Sequence, residues 1–211
     1  MAERIRDREL MALVRAIITA EAANAVRLLD DSPALASASF EAGATRQTAK
    51  PYFLHEIGRY IYAGDTALHI AAAAYRTDVV RALLLHGVNV RAKNRRGAEP
   101  LHSAAAGGPG SPRWNPSAQA ATIACLIEAG ADPDASNQDG VAPLHIAERT
   151  RCSAAIGALL AGGADVHRTN NNGSTALFLA THTTGRGGSG SAEAKAEQAE
   201  IIRLLQRHGA E

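Results

Sequence analysis

The chain has 211 residues, 46% of them hydrophobic and 20% charged, with a formal charge of +1. That balance excludes a disordered chain and gives no general attraction to nucleic acid or an anionic membrane. Aromatics make up only 4%, so a core must be built from Ala, Leu, Ile and Val, and two cysteines, Cys125 and Cys152, cannot make a disulfide framework.

The N-terminus is charged and lacks the apolar run of a secretory signal, and no stretch approaches the roughly 18 apolar residues of a membrane span. A soluble, cytoplasmic protein with reduced thiols is expected. Residues 9–20 predict one amphipathic helix and residues 22–31 a second. Residues 51–62 then hold four of the eight aromatics: Tyr52, Phe53, Tyr60 and Tyr62. There, two readings stay open: Arg59-Tyr-Ile-Tyr as a strand extending the first finger with Tyr60 and Tyr62 on one side, or Pro51 to Ile57 as a short helix.

From residue 65 onward four segments align. They are Asp65-Thr-Ala-Leu-His-Ile-Ala-Ala, Ala98-Glu-Pro-Leu-His-Ser-Ala-Ala, Val141-Ala-Pro-Leu-His-Ile-Ala-Glu and Ser174-Thr-Ala-Leu-Phe-Leu-Ala-Thr. Their leucines, Leu68, Leu101, Leu144 and Leu177, are 33, 43 and 33 residues apart. Each segment leads to an apolar run that ends in a glycine: Gly87, Gly130, Gly163 or Gly209. The leucine-to-glycine distances of 19, 29, 19 and 32 show that two repeats carry extra residues. After the first three glycines comes an Asn/Asp/Gly-rich stretch that predicts a hairpin.

A 33-residue period with T-P-L-H-x-A resembles the ankyrin repeat. The resemblance implies an all-α solenoid of stacked helix-turn-helix units with short β-hairpin fingers. It makes residues 1–211 one domain. A degenerate repeat lies at about 5–33 with an insert at 34–64, and four further repeats span about 65–97, 98–140, 141–173 and 174–211. The physics agrees. Threonine at the cap position and proline after it start the first helix, the apolar run gives the second helix a face to bury, and glycine ends it. One repeat cannot bury both helices, so neighbours stack, with polar terminal helices as caps. Glu99 and Ala142 replace the capping threonine and Phe178 the histidine, which read as tolerated local losses.

His69, His102 and His145 recur in register, but stacked helices hold their rings too far apart for one metal ion. In the family this histidine makes structural hydrogen bonds at the repeat junction. The cysteines lack a partner at catalytic spacing, and no nucleophile elbow or phosphate loop occurs. No enzyme, cofactor or metal is therefore expected. The glycine-rich stretches Gly107-Gly-Pro-Gly-Ser and Gly187-Gly-Ser-Gly-Ser each reach a Gln-Ala pair, at Gln119 and Gln198, and read as flexible extended turns. Trp114, in the first of them, is either a packing plug or a binding anchor.

Ankyrin stacks generally bind proteins through their fingers and first helices, so the resemblance implies a non-enzymatic interaction scaffold or adaptor. The alternative is a small-molecule or anion sensor built on the glycine-rich inserts. The aromatics of the insert read either as a cover for the exposed end of the first repeats or as a binding patch. In the second reading the candidate partner surface joins Tyr52, Phe53, Tyr60 and Tyr62 to Arg91, Lys93, Arg95 and Arg96 of the first finger, with Trp114. Aromatics and arginines favour an acidic or amphipathic protein or peptide partner, with nucleic acid and membrane not expected. The next finger is acidic, with Asp132, Asp134 and Asp139, a split that would orient a partner. A monomer is expected.

Overall fold

The computed structural model describes residues 2–19, 21–109, 114–182 and 191–211, with side chains from Asp7 onward. Helices come in successive pairs: α1 (Ala2–Ile18) with α2 (Ala22–Asp31), α4 (Ala67–Ala73) with α5 (Thr77–Leu85), and α6 (Pro100–Ala104) with α7 (Pro116–Glu128). The pairs α8 (Pro143–Arg149) with α9 (Ser153–Ala161) and α10 (Ala176–His182) with α11 (Ala192–Arg207) follow. First helices stack on first helices, α1 on α4 on α6 on α8 on α10. Second helices stack likewise, α2 on α5 on α7 on α9 on α11. The chain is a helical solenoid, as the repeat predicts.

The motif residues build one continuous core. Leu68, Leu101, Leu144 and Leu177 are buried, and so are Ala71, Ala104, Ala147 and Ala180 three positions on. The small side chain at the second position lets neighbouring first helices approach closely. Second helices contribute apolar pairs such as Val80 with Leu83 and Ile156 with Leu159. Gly87, Gly130, Gly163 and Gly209 end these helices with φ of 72°, 94°, 90° and 94°, the left-handed conformation that glycine adopts without a Cβ clash.

The fingers differ from the expected β-hairpins: among the described residues they are tight turns with no strand. Each is closed by one Asn, whose backbone N–H bonds the carbonyl four residues on, as in Asn94 to Ala98 at 3.0 Å and Asn137 to Val141 at 3.2 Å. Adjacent fingers are joined by single backbone bonds, Arg95 N–H to Ala63 at 2.7 Å and Gln138 N–H to Arg96 at 3.0 Å. Side-chain carbonyls within the turn satisfy the remaining N–H groups, so a ladder is not needed to stabilise the loop.

The insert adds a short helix, α3 (Ala34–Ser37), and a two-stranded hairpin of β1 (Phe53–Leu54) with β2 (Arg59–Tyr60). Of the two readings, the strand at Arg59–Tyr60 is the one present, and over Pro51–Ile57 there is only a 3-10 turn at Lys50–Tyr52 before the chain extends into β1. Ile61 anchors the segment. It is fully buried, and its backbone bonds Tyr52 and Ala44 at 2.8 and 2.7 Å, which turns Tyr60 and Tyr62 away from the core.

The extra residues of the third and fifth pairs partly lengthen the second helix. α7 has 13 residues and α11 has 16, against nine in α5 and in α9. Asn115 and Ser191 cap them, accepting from the N–H of Ala118 and Ala194. The Gln-Ala likeness now has a structural meaning. Gln119 Nε2 donates to Ala104 O at 2.9 Å and Gln198 Nε2 to Ala180 O at 2.5 Å. Each ties its second helix to the C-terminal end of the first.

Candidate functional site

The aromatic insert and the first finger lie together. The Tyr62 ring sits under the guanidinium groups of both Arg95 and Arg96, 5.4 Å from each, a cation–π arrangement. Arg95 also donates to Ala44 O in the insert. Phe53 packs on Tyr60 with ring centroids 4.8 Å apart, and Tyr52 is half-buried against the core. Beside them is a shallow cavity of about 550 Å³ lined by Arg46, Tyr60, Tyr62, Arg95, Arg96 and Gln138, among others, with no carboxylate in its wall.

Arg91 and Lys93 do not join this group. They turn toward Glu99, each with a nitrogen 3.8 Å from a carboxylate oxygen, and Arg91 also meets Asp132 at 2.9 Å. Glu99 is no bland loss of a cap. Its side chain is buried and both oxygens lack a hydrogen-bond partner; burial raises its pKa, and the nearby Arg91 and Lys93 oppose the rise. With Arg96 also 3.9 Å from Asp139, the contrast between basic and acidic fingers is partly used to hold them together.

Trp114 packs against the core and half-buries its ring. Near it, Cys152 is fully buried and donates from Sγ to Gln119 Oε1 at 3.1 Å, and burial raises its thiol pKa. The glycines that open the first glycine-rich insert are packed. A Cβ on Gly107, whose φ is 117°, would lie 1.9 Å from the Tyr75 hydroxyl, and one on Gly108 would lie 1.7 Å from Thr150 O. They mark close approach, and the expectation of a loose turn fails at this end of the insert. Residues 110–113 and the glycines at 187–190 lie outside the described residues.

The histidine ladder has one repeated geometry. Nδ1 of His69, His102 and His145 accepts the backbone N–H of Thr66, Glu99 and Ala142, each at 3.1 Å. Nδ1 is thus the unprotonated nitrogen, and Nε2–H donates to the next repeat, to Ala98 O, Val141 O and Ser174 O at 3.0, 3.1 and 3.1 Å. Burial lowers all three pKa values, that of His102 to about 4, which keeps the rings neutral. Both nitrogens are committed, so neither is free to bind a metal. Phe178 takes this position in the last pair, and its ring stacks on His182 at 4.3 Å. Among the described residues no group of three or more His, Cys, Asp or Glu is placed to hold a metal ion.

Two residues that the sequence reading passed over stand out. Ser103 occupies the position held by Ile70 and Ile146, and its buried hydroxyl has no partner. Glu148 occupies the position of Ala72 and Ala105, and is buried with one oxygen unpartnered. Both were visible as departures from the aligned motif.

The ankyrin-repeat family model matches residues 12–111 in three copies, a span that begins within α1. Two curated proteins are similar over part of the chain. E3 ubiquitin-protein ligase KEG of Arabidopsis thaliana is 36% identical over 84 residues, 40% of this chain and 5% of that protein. Ankyrin repeat and SOCS box protein 16 of Mus musculus is 38% identical over 89 residues, 41% of this chain and 19% of that protein. The aligned region is thus a small fraction of either relative. Ankyrin repeats generally mediate protein–protein contacts and are typically non-catalytic, and among the described residues no helix is long and apolar enough to cross a membrane. With the paired helices, the histidine ladder and the family match in agreement, residues 12–111 of this chain are ankyrin repeats, and the helix pairs beyond them continue the same stack.

Proposed function

We propose that this chain is a non-catalytic scaffold or adaptor, a cytoplasmic monomer that binds an acidic protein segment where the aromatic insert meets the first finger. The observation that carries this reading is the Tyr62 ring beneath Arg95 and Arg96, beside a groove with a third arginine, Arg46, and no carboxylate. Stacked arginines are already oriented, so they lose little freedom on pairing with a carboxylate, and tyrosine supplies contact area at low entropic cost. Arg91 and Lys93 face Glu99 and belong to the support of this surface. Trp114 is better explained by packing than by partner contact. A sensor built on the glycine-rich inserts has less support, because Gly107 and Gly108 are held against Tyr75 and Thr150.

The test starts from acidic peptides selected by display on the intact chain. The double variant Tyr60→Ala with Tyr62→Ala should weaken their binding while leaving the thermal melt cooperative. Arg96→Glu should slow association, with the difference shrinking as salt is raised. Unchanged affinity in a folded double variant would make the aromatic patch a cover for the end of the stack. Unfolding of that variant would assign the tyrosines to the core and remove support for the reading.

A further inference from the structure

On the side formed by the first helices lies a different cavity of about 490 Å³. It opens between the end of α1, the β1–β2 turn and the C-terminal ends of α4 and α6. One part of its wall is aliphatic, from Ile17, Ile18, Ile57, Ala73 and Ala74. A second cavity of about 140 Å³ shares Arg59, Ser103 and Ala106 with it and extends to Arg96 and Arg149. Neither wall contains a carboxylate. The groove therefore runs from an apolar end to a cationic end, and its size falls in the range of small-ligand sites, roughly 300–1,000 Å³ for the larger part.

Two polar groups at the junction lack partners. Ser103 is 2% exposed and its Oγ makes no hydrogen bond. Isoleucine or leucine at the matching positions of the other repeats, Ile70, Ile146 and Leu179, would fill this space. The serine thus both opens the cavity and leaves a donor in it. Arg59 Nε is buried and unpartnered. The Arg59 guanidinium has Asp65 at 3.6 Å, but the Asp65 oxygens already accept from the Tyr62 N–H and from Asn94 Nδ2, both at 2.8 Å. Arg76, also on the wall, is committed to Asp78 and to Ile17 O. Buried donors without acceptors are rare because each loses its hydration without compensation, so two at the polar junction of one cavity point to an absent acceptor.

We propose that this cavity binds a small amphipathic carboxylate. Its aliphatic body packs on the isoleucines and alanines, and its carboxylate accepts from Ser103 Oγ and Arg59 Nε. The site meets the finger surface only at Tyr62 and Arg96, and its contacts at Ser103 and Arg59 stand whether or not that surface binds a protein.

Isothermal titration of the intact chain with decanoate, decan-1-ol and decyltrimethylammonium tests the assignment. Decanoate should bind saturably and at least about tenfold more tightly than the alcohol, as a charge-assisted hydrogen bond implies. The cation should bind more weakly still. Ser103→Ala and Arg59→Gln should each weaken decanoate about tenfold or more and narrow its preference over the alcohol. Ser103→Ile, which restores the side chain of the neighbouring repeats, should abolish binding and raise the melting temperature. If Ser103→Ile does not fold, Ser103→Ala and Arg59→Gln decide. Absence of saturable decanoate binding, equal binding of the alcohol, or wild-type affinity in folded Ser103→Ile would overturn the proposal. So would displacement of decanoate by an acidic peptide selected on the chain, which would give the cavity to a protein partner.

Discussion

Glu148→Gln separates two opposed titrations inside the stack. Glu148 is 3% exposed at a position that holds alanine in two other repeats, and burial lifts its pKa from 4.5 to about 7, against the pull of Arg149 and Arg151. At about 1.4 kcal/mol per pH unit, that rise corresponds to about 3 kcal/mol. The folded state holds the proton more tightly than the unfolded state between these two values. The contribution is fully present below about pH 4.5 and is lost as pH rises through about 7. His102 runs the other way. Its pKa falls from 6.5 to about 4, so its contribution is present above about 6.5 and lost as pH falls through about 4. In the wild type the two act in opposite directions across the acidic range. Glutamine keeps the size and removes the charge. It should stabilise the chain by about 2–4 kcal/mol at about pH 8.5, with the gain vanishing by about pH 4.5. It should also expose the acid sensitivity of the histidine ladder. Urea denaturation followed by circular dichroism at several pH values gives the difference between variant and wild type. A difference that does not change with pH, or a loss of stability at alkaline pH, would show that the Glu148 carboxyl is not held in the buried state argued from its contacts.

Three further substitutions probe the stack. Ala142→Thr should add a hydroxyl near His145 Nδ1, as Thr66 Oγ1 does at 3.0 Å from His69, and stabilise by about 0.5–1 kcal/mol; a lower denaturant midpoint would contradict the cap geometry. Gly108→Ala places a Cβ against Thr150 O and should cost about 1–3 kcal/mol, measured by thermal or urea melting; a neutral effect would mean the insert is free to move there. Gln119→Ala should cost about 1–3 kcal/mol, because it frees Ala104 O and leaves the Cys152 thiol without its acceptor; accessibility of Cys152 to a thiol reagent should rise, and unchanged labelling with unchanged stability would refute the tie.

Much of the architecture is legible in the chain because its causes are local and periodic. The leucines at Leu68, Leu101, Leu144 and Leu177, the alanines three residues on and the glycines that end the second helices each answer a requirement of their own repeat, so spacing alone reports them. The ladder histidines belong here too, since Nδ1 bonds the backbone three residues back. The nearness of the insert to the first finger also follows from the side-by-side order of fingers, and Tyr62 meets Arg95 and Arg96. What the tertiary structure decided concerns departures from the repeat, whose meaning depends on residues far away in sequence. Ser103 and Glu148 are each one letter out of register, yet a cavity at one and a buried carboxyl at the other arise from neighbouring helices. Arg91 and Lys93 look like Arg95 and Arg96 along the chain, but the buried Glu99 turns the first two toward itself while they stay exposed. A pattern of side chains encodes which face of a helix is buried. Whether an unusual side chain on that face finds a partner, a void or an opposite charge is set by the helix packed against it.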